Sequence, residues 1–340
     1  MHLPDSFLSP ATCAATCLVA IPVLVLSARR TLSDHGASAP SLIAACAAFA
    51  FVIQMFNVPL PFGGTGHVIG ASALACLYGP WVAIFAVSIA LGVQAIVFGD
   101  GGILSYGANV LDMAIVQSIV SYAIFSNLQR VWRNVAARCA VASVLAVVAG
   151  GVVTATLLGL QAILHVDGNG VPMYFPFQLK ESFAGLMLPQ VAVGFIEATV
   201  TATLVVSVQR IAARGGEIGR AFPQRPPRKV WIAIAAAIML VPLGILVPAF
   251  SDAGDAWGEW SGEQATQIAA LPYTPQGMEK LENWYPAPVP DYAFTAPAPL
   301  PMQSLEYILA AILGVGVIIG LAFILNRRFT NAVRMKTLKE

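Results

Sequence analysis

Only four histidines occur in the chain, His2, His35, His67 and His165, and the first is chemically unlike the others. With a free α-amine on Met1, that amine, the His2 backbone nitrogen and the His2 imidazole Nδ1 can bind one metal ion together. Amine and amide close a five-membered chelate ring, and amide and Nδ1 close a six-membered one. Three nitrogens in a plane leave a fourth position, and tetragonal nitrogen coordination suits Ni(II) or Cu(II) better than Zn(II). His67, which follows a Gly-rich turn, is the natural fourth ligand. The amide must lose its proton, so such a site strengthens as pH rises. The plain alternative is that residue 2 belongs to a frayed terminus and that His67 caps a helix.

Other groups are candidates for supporting roles. Asp112 and Glu197 are carboxylates inside apolar runs, where burying an acid is costly and marks function by default. Two roles stand open for them: groups standing behind the metal ligands, with Asn109 near Asp112 as a third, or a proton relay in a secondary transporter. His165 with Asp167, and the turn Gly99-Asp100-Gly101-Gly102, read as structure at the outer surface. The five scattered cysteines, Cys13 and Cys17 included, read as helix-packing filler. There is no H-E-x-x-H, which argues against a zinc hydrolase, and no G-x-x-x-x-G-K-[ST], so no ATPase site is expected.

These residues must be held by membrane elements. The chain is 58% hydrophobic and 10% charged, far from the soluble average. Its net charge of +1 makes no case for nucleic acid. No cleavable signal peptide is expected before the first apolar run. Runs fit to cross the hydrocarbon predict nine spans: 11–28, 41–58, 68–79, 81–98, 103–128, 135–164, 186–208, 230–250 and 307–325. The apolar stretch 68–98 is too long for one span and too short for two, so a break at Gly79-Pro80 with a short helix before it is expected. That short helix sinks His67 into the membrane. With the N-terminus outside and the C-terminus cytoplasmic, all of the 18 Lys and Arg residues except Lys180 and Lys280 lie inside. The expected organisation is all-α: a seven-span body (1–209), a cytoplasmic linker (210–229) and a two-span unit (230–340) with an outer loop (251–304).

The quoted motifs carry a resemblance. MHLPDSFLSP at the start, FNVPLPFGGTGHVIGASALACLYGPW from Phe56, QAIVFGDGGILSYGANVLDM from Gln94 and, more loosely, GFIEATVTA from Gly194 resemble the CbiM/NikM substrate-binding components of cobalt and nickel energy-coupling-factor transporters. TPQGMEKLENW, from Thr274, is similar to a PDGLE motif with Gln276 in place of the aspartate, as in the CbiN/NikN-type modules fused to some of these proteins. The resemblance implies a divalent ion, Ni(II) or Co(II), held as cargo by Met1, His2 and His67. It also implies a transmembrane coupling protein and two cytoplasmic ATPases as partners, in a bacterial inner membrane. Uptake would serve cobalamin synthesis or a nickel enzyme. The small-xxx-small pair Ala44 and Ala48 is expected to carry the coupling-protein contact, with packing of an internal helix pair as the alternative, and Gly316 with Gly320 to hold the fused module to the body.

Overall fold

The computed structural model describes residues 2–60, 64–214, 228–254, 260–295 and 298–337. Most of the linker, residues 215–227, lies outside the described residues. Helix α1 (Pro10–His35) starts where the Ser9 side chain accepts from the Thr12 amide and Pro10 presets the first turn. It stops at Gly36, whose φ of +51° lets the chain turn directly into α2 (Ala39–Gln54). A short antiparallel hairpin follows, β1 (Asn57–Pro59) and β2 (Thr65–His67), with Asn57 opposite His67. Then come α3 (Ala71–Tyr78) and α4 (Pro80–Val93), the second opening on Pro80 after Gly79. Alpha3 has eight residues, too few to span, as the uncharged stretch implied.

A π-turn (Gln94–Phe98) leads into the glycine turn at 99–102. Beyond it lie α5 (Tyr106–Asn109), a π segment (Val110–Val116) that carries Asp112, and α6 (Gln117–Leu128). The long pair α7 (Val135–Leu164) and α8 (Leu179–Arg214) closes the body. The C-terminal part holds α9 (Arg228–Leu240) and α10 (Leu243–Phe250), then α11 (Gly262–Ile268) and α12 (Gln276–Glu282) in the outer loop, then α13 (Leu300–Thr337). Seven helical runs among the described residues are long and apolar enough to cross a membrane; the first, 10–54, contains both α1 and α2. The outside of the molecule is apolar: Leu18 is 76% exposed, Phe195 63% and Phe250 83%. Such a surface fits lipid rather than water, and the protein is a multi-pass membrane protein.

The core is built on α2 and α4, where Ala47, Ala48, Ala50, Ala83, Ala86 and Ala90 allow close packing. This corrects the expected partner surface. Ala44 is 5% exposed and Ala48 fully buried, because α4, α9 and α13 of the same chain cover α2. Ala44 lies in a crevice shared with Trp231 and Phe323. Small residues let helices approach equally well inside a chain and between chains, and here the neighbours are internal. The glycine pair is corrected too. Gly316 and Gly320 face open space, whereas a Cβ on Gly314 would strike the Phe51 ring, so Gly314 is where α13 meets α2.

Candidate metal centre

The amino-terminal segment is a buried strap, not a frayed end. His2, Leu3, Asp5, Ser6, Phe7, Leu8 and Ser9 are all buried. Asn109 grips the backbone of Leu3 from both sides: its Oδ1 accepts from Leu3 N at 2.7 Å and its Nδ2 donates to the Leu3 carbonyl at 3.1 Å. That carbonyl also accepts from Gly102 N at 2.9 Å and from the Ser105 hydroxyl at 2.5 Å. The Asp5 carboxylate takes the Ile103 and Ser105 amides, ahead of α5. Ser9 bonds Gln161 and His165 on α7 and just after it, and Phe7 packs on Phe175. The glycine turn makes room for this. Gly101 has φ +79° and its Cβ position lies 3.2 Å from His2 Cβ, while a Cβ on Gly102 would overlap the Asp5 carboxylate.

His67 is delivered by the hairpin. Glu197, fully buried on α8, accepts the Ile69 amide at 2.8 Å and the Gly70 amide at 3.1 Å, just ahead of α3. An acid there satisfies orphan donors at a helix start and fixes the loop carrying His67. His67 Nδ1 lies 3.3 Å from the Val68 carbonyl, which only accepts, so Nδ1 carries the proton. Burial pushes the His67 imidazole well below its usual range, and His2 beside it acts in the same direction, so the ring is neutral.

The two histidine rings stack, with centroids 4.9 Å apart and planes 19° from parallel. His2 Nδ1 lies 2.9 Å from Asp100 Oδ1. Burial by itself would raise the Asp100 carboxyl, but the His2 charge and the bonds from His2 and Tyr292 hold it well below the ordinary carboxylate range. His2 Nδ1 is thus held by a carboxylate here. His2, His67, Gln54, Asn57 and Asp100 line one side of a cavity of about 220 Å³. Ile245, Asp291, Tyr292 and Tyr307, all from the C-terminal part, line the other. Among the described residues no three His, Cys, Asp or Glu side chains form a metal cluster.

The other candidates fall as follows. Met1 lies outside the described residues. Asp112 is buried against Thr154, whose hydroxyl donates to it at 2.5 Å, and it does not line the cavity. Glu197 and Asn109 act on the loops that carry His67 and the strap. His165 fastens Ser9. His35 ends α1, far along the helix from Ser9. Sequence reasoning missed Asp100, which it assigned to a plain turn, and it missed the part played by the outer loop. Tyr292 donates to Asp100 at 2.5 Å and stacks on Phe98; Trp284 Nε1 donates to Asp5 at 2.5 Å; Gly277 of the PDGLE-like motif donates its amide to Met173 O at 2.7 Å.

The family model for the cobalt uptake substrate-specific transmembrane region, CbiM, matches residues 2–214. The chain belongs to the CbiM family. The PDGLE domain model matches residues 228–330, so the CbiM part is followed here by that domain. The fused nickel transport protein NikMN of Rhodobacter capsulatus is 37% identical, covering 94% of this chain and 95% of the relative. The probable fused nickel transport protein LarMN of Lactiplantibacillus plantarum is 36% identical, over 93% and 94%. The cobalt transport protein CbiM of Geobacter sulfurreducens is 30% identical, over 79% and 78%. A crystal structure of a truncated transition metal transporter is similar at TM-score 0.59 and 37% identity, covering 62% of this chain and 99% of that one.

Proposed function

We propose that the chain captures Ni(II), or Co(II) in the same donor set, on the outer side of the inner membrane. The donors are the Met1 amine, the His2 amide and Nδ1, and His67 Nε2. In this reading the chain is the substrate-binding subunit of an energy-coupling-factor system, with a transmembrane coupling protein and two ATPases on other chains. The observation that carries it is the strap: residues 2–9 are pinned by Asn109, Ser105 and Gln161 so that His2 meets His67 at a shared cavity. Planar nitrogen donors favour nickel, and the relatives that align over nearly the whole chain are nickel transport proteins. The PDGLE part contributes Tyr292 and Tyr307 to the cavity wall. The proton-relay reading finds less support, since Glu197 and Asp112 both hold local structure.

The test is calorimetric titration of the purified chain with Ni(II). Wild type binds one ion and releases protons. Acetylating Met1, which removes the amine donor, or replacing His2 by alanine, which removes the imidazole, abolishes high-affinity binding. Undiminished binding by the acetylated chain overturns the chelate.

A further inference from the structure

Between the body and the fused part lies a second cavity, of about 210 Å³, which shares no residue with the cavity of the metal centre. Its walls are α2, α3, the end of α8 and the start of α9. Phe49 and Ile53 face it from α2, Leu204 and Val208 from α8, and Ala233 and Ala237 from α9. The two residues of each pair lie one helical turn apart, so each helix turns an apolar stripe to the space. None of the six is fully buried. Along α2 the lining runs from Leu42 to Ile53, about 16 Å at 1.5 Å per residue. The space is long and narrow. A helix, about 10 Å across with its side chains, does not fit it, whereas a single hydrocarbon chain does. One end is basic. Val230, in the lining, follows Arg228 and Lys229 directly, and Lys229 stands one turn before Ala233 on the stripe that faces the cavity. Arg228 and Lys229 are exposed, and so is Arg210, two residues past Val208. Neither α2, α3, α9 nor residues 198–214 of α8 contain an Asp or Glu.

We infer that this cavity takes one acyl chain of an anionic phospholipid from the cytoplasmic leaflet, with the phosphate at Arg228 and Lys229. A phospholipid matches both halves of the site. Its hydrocarbon chain covers the apolar walls, and its headgroup meets cations that no acid on these helices neutralises. Lys and Arg reach the headgroup level while their stems cover apolar surface. An anionic headgroup is favoured over a zwitterionic one by about tenfold, because each basic side chain near the membrane surface attracts negative lipid. The lipid also has a structural role. Helix α9 opens the PDGLE part, and that part supplies Tyr292 and Tyr307 to the wall of the metal cavity. A chain wedged between α9 and the body therefore steadies that wall from the far side of the membrane. None of this depends on the chelate.

Native mass spectrometry of the full-length protein tests this, after purification in detergent and removal of lipid. The protein is titrated with phosphatidylglycerol or with phosphatidylcholine of equal chain length. Wild type takes up one phosphatidylglycerol, about tenfold more tightly than phosphatidylcholine. Ala233→Trp, which fills the cavity without touching a charge, loses this uptake for both lipids. Arg228→Gln combined with Lys229→Gln leaves the cavity open and binds the two lipids alike, a readout that stands even if the Trp variant folds poorly. Equal affinity for the two lipids in wild type, or a preference that survives the double variant, overturns the anionic headgroup site. Uptake unchanged by Ala233→Trp overturns the cavity as the seat of the chain. A Trp variant that binds lipid normally and no longer co-purifies with a coupling protein makes the cavity a protein interface instead.

Discussion

Replacing Glu197 by glutamine separates a positioning role from a proton relay. The carboxylate is fully buried and accepts two backbone amides, from Ile69 at 2.8 Å and Gly70 at 3.1 Å. Hydrogen bonds to a charged buried partner contribute about 1.5–3 kcal/mol each. Glutamine keeps one acceptor, now neutral, and turns the other atom into an NH₂ that faces an N–H. One bond is lost and the other weakened, which costs about 2–3 kcal/mol in the hairpin that presents His67. If ordering that hairpin is coupled to metal capture, Ni(II) affinity falls by roughly 30- to 100-fold, at about tenfold per 1.4 kcal/mol. The assay is Ni(II) calorimetry on purified protein, with metal uptake by intact cells measured in parallel. Affinity within about threefold of wild type would refute the reasoning. Full affinity with lost uptake would instead revive the relay.

His67→Ala loses most Ni(II) affinity by calorimetry, whereas His35→Ala, at the end of α1, retains it. Protons compete with metal, so affinity rises with pH. Below about pH 7.7, where the α-amine is protonated, the slope approaches two logarithmic units per pH unit, one proton from the amine and one from the amide. His67 contributes nothing to that slope near neutrality because burial keeps it neutral, and an affinity that does not rise with pH would contradict the amide donor. Asn109→Ala removes both bonds to Leu3 and lowers Ni(II) affinity by about tenfold, as loss of a positioning partner does. Ala48→Trp, at a fully buried site, lowers the melting temperature in detergent through overpacking, and a variant that folds normally but fails only to bind a coupling protein would return α2 to the partner surface.

The pairing of His2 with His67 was legible because only a few histidines occur and one of them sits in a motif beside the short α3; the structure stacks the two rings. The short α3 was legible from a length argument, since the stretch 68–98 fits no whole number of spans. Asp100 was not, because an acid between glycines looks the same whether it faces solvent or an imidazole. Trp284 and Tyr292 were invisible as contacts, for their partners Asp5 and Asp100 lie in the first third of the chain. Ala44 and Ala48 announced close helix packing but not its partner, since alanine spacing carries no information about which helix comes near.

The reach of the Asp5–Trp284 bond sets an order on biogenesis. A ribosome releases the strap first, but its fastenings are made in sequence: Asn109, then Gln161, then Trp284. The residues that would hold the ion are thus the earliest made and the last secured. During insertion, His2 and His67 share a half-built chamber whose far wall, Tyr292 and Tyr307, does not yet exist. An ion encountered at that stage meets donors without a cover. If the chain captures metal as proposed, tight capture belongs to the finished molecule, and a chain stalled after α8 would show the right ligands with a faster off-rate.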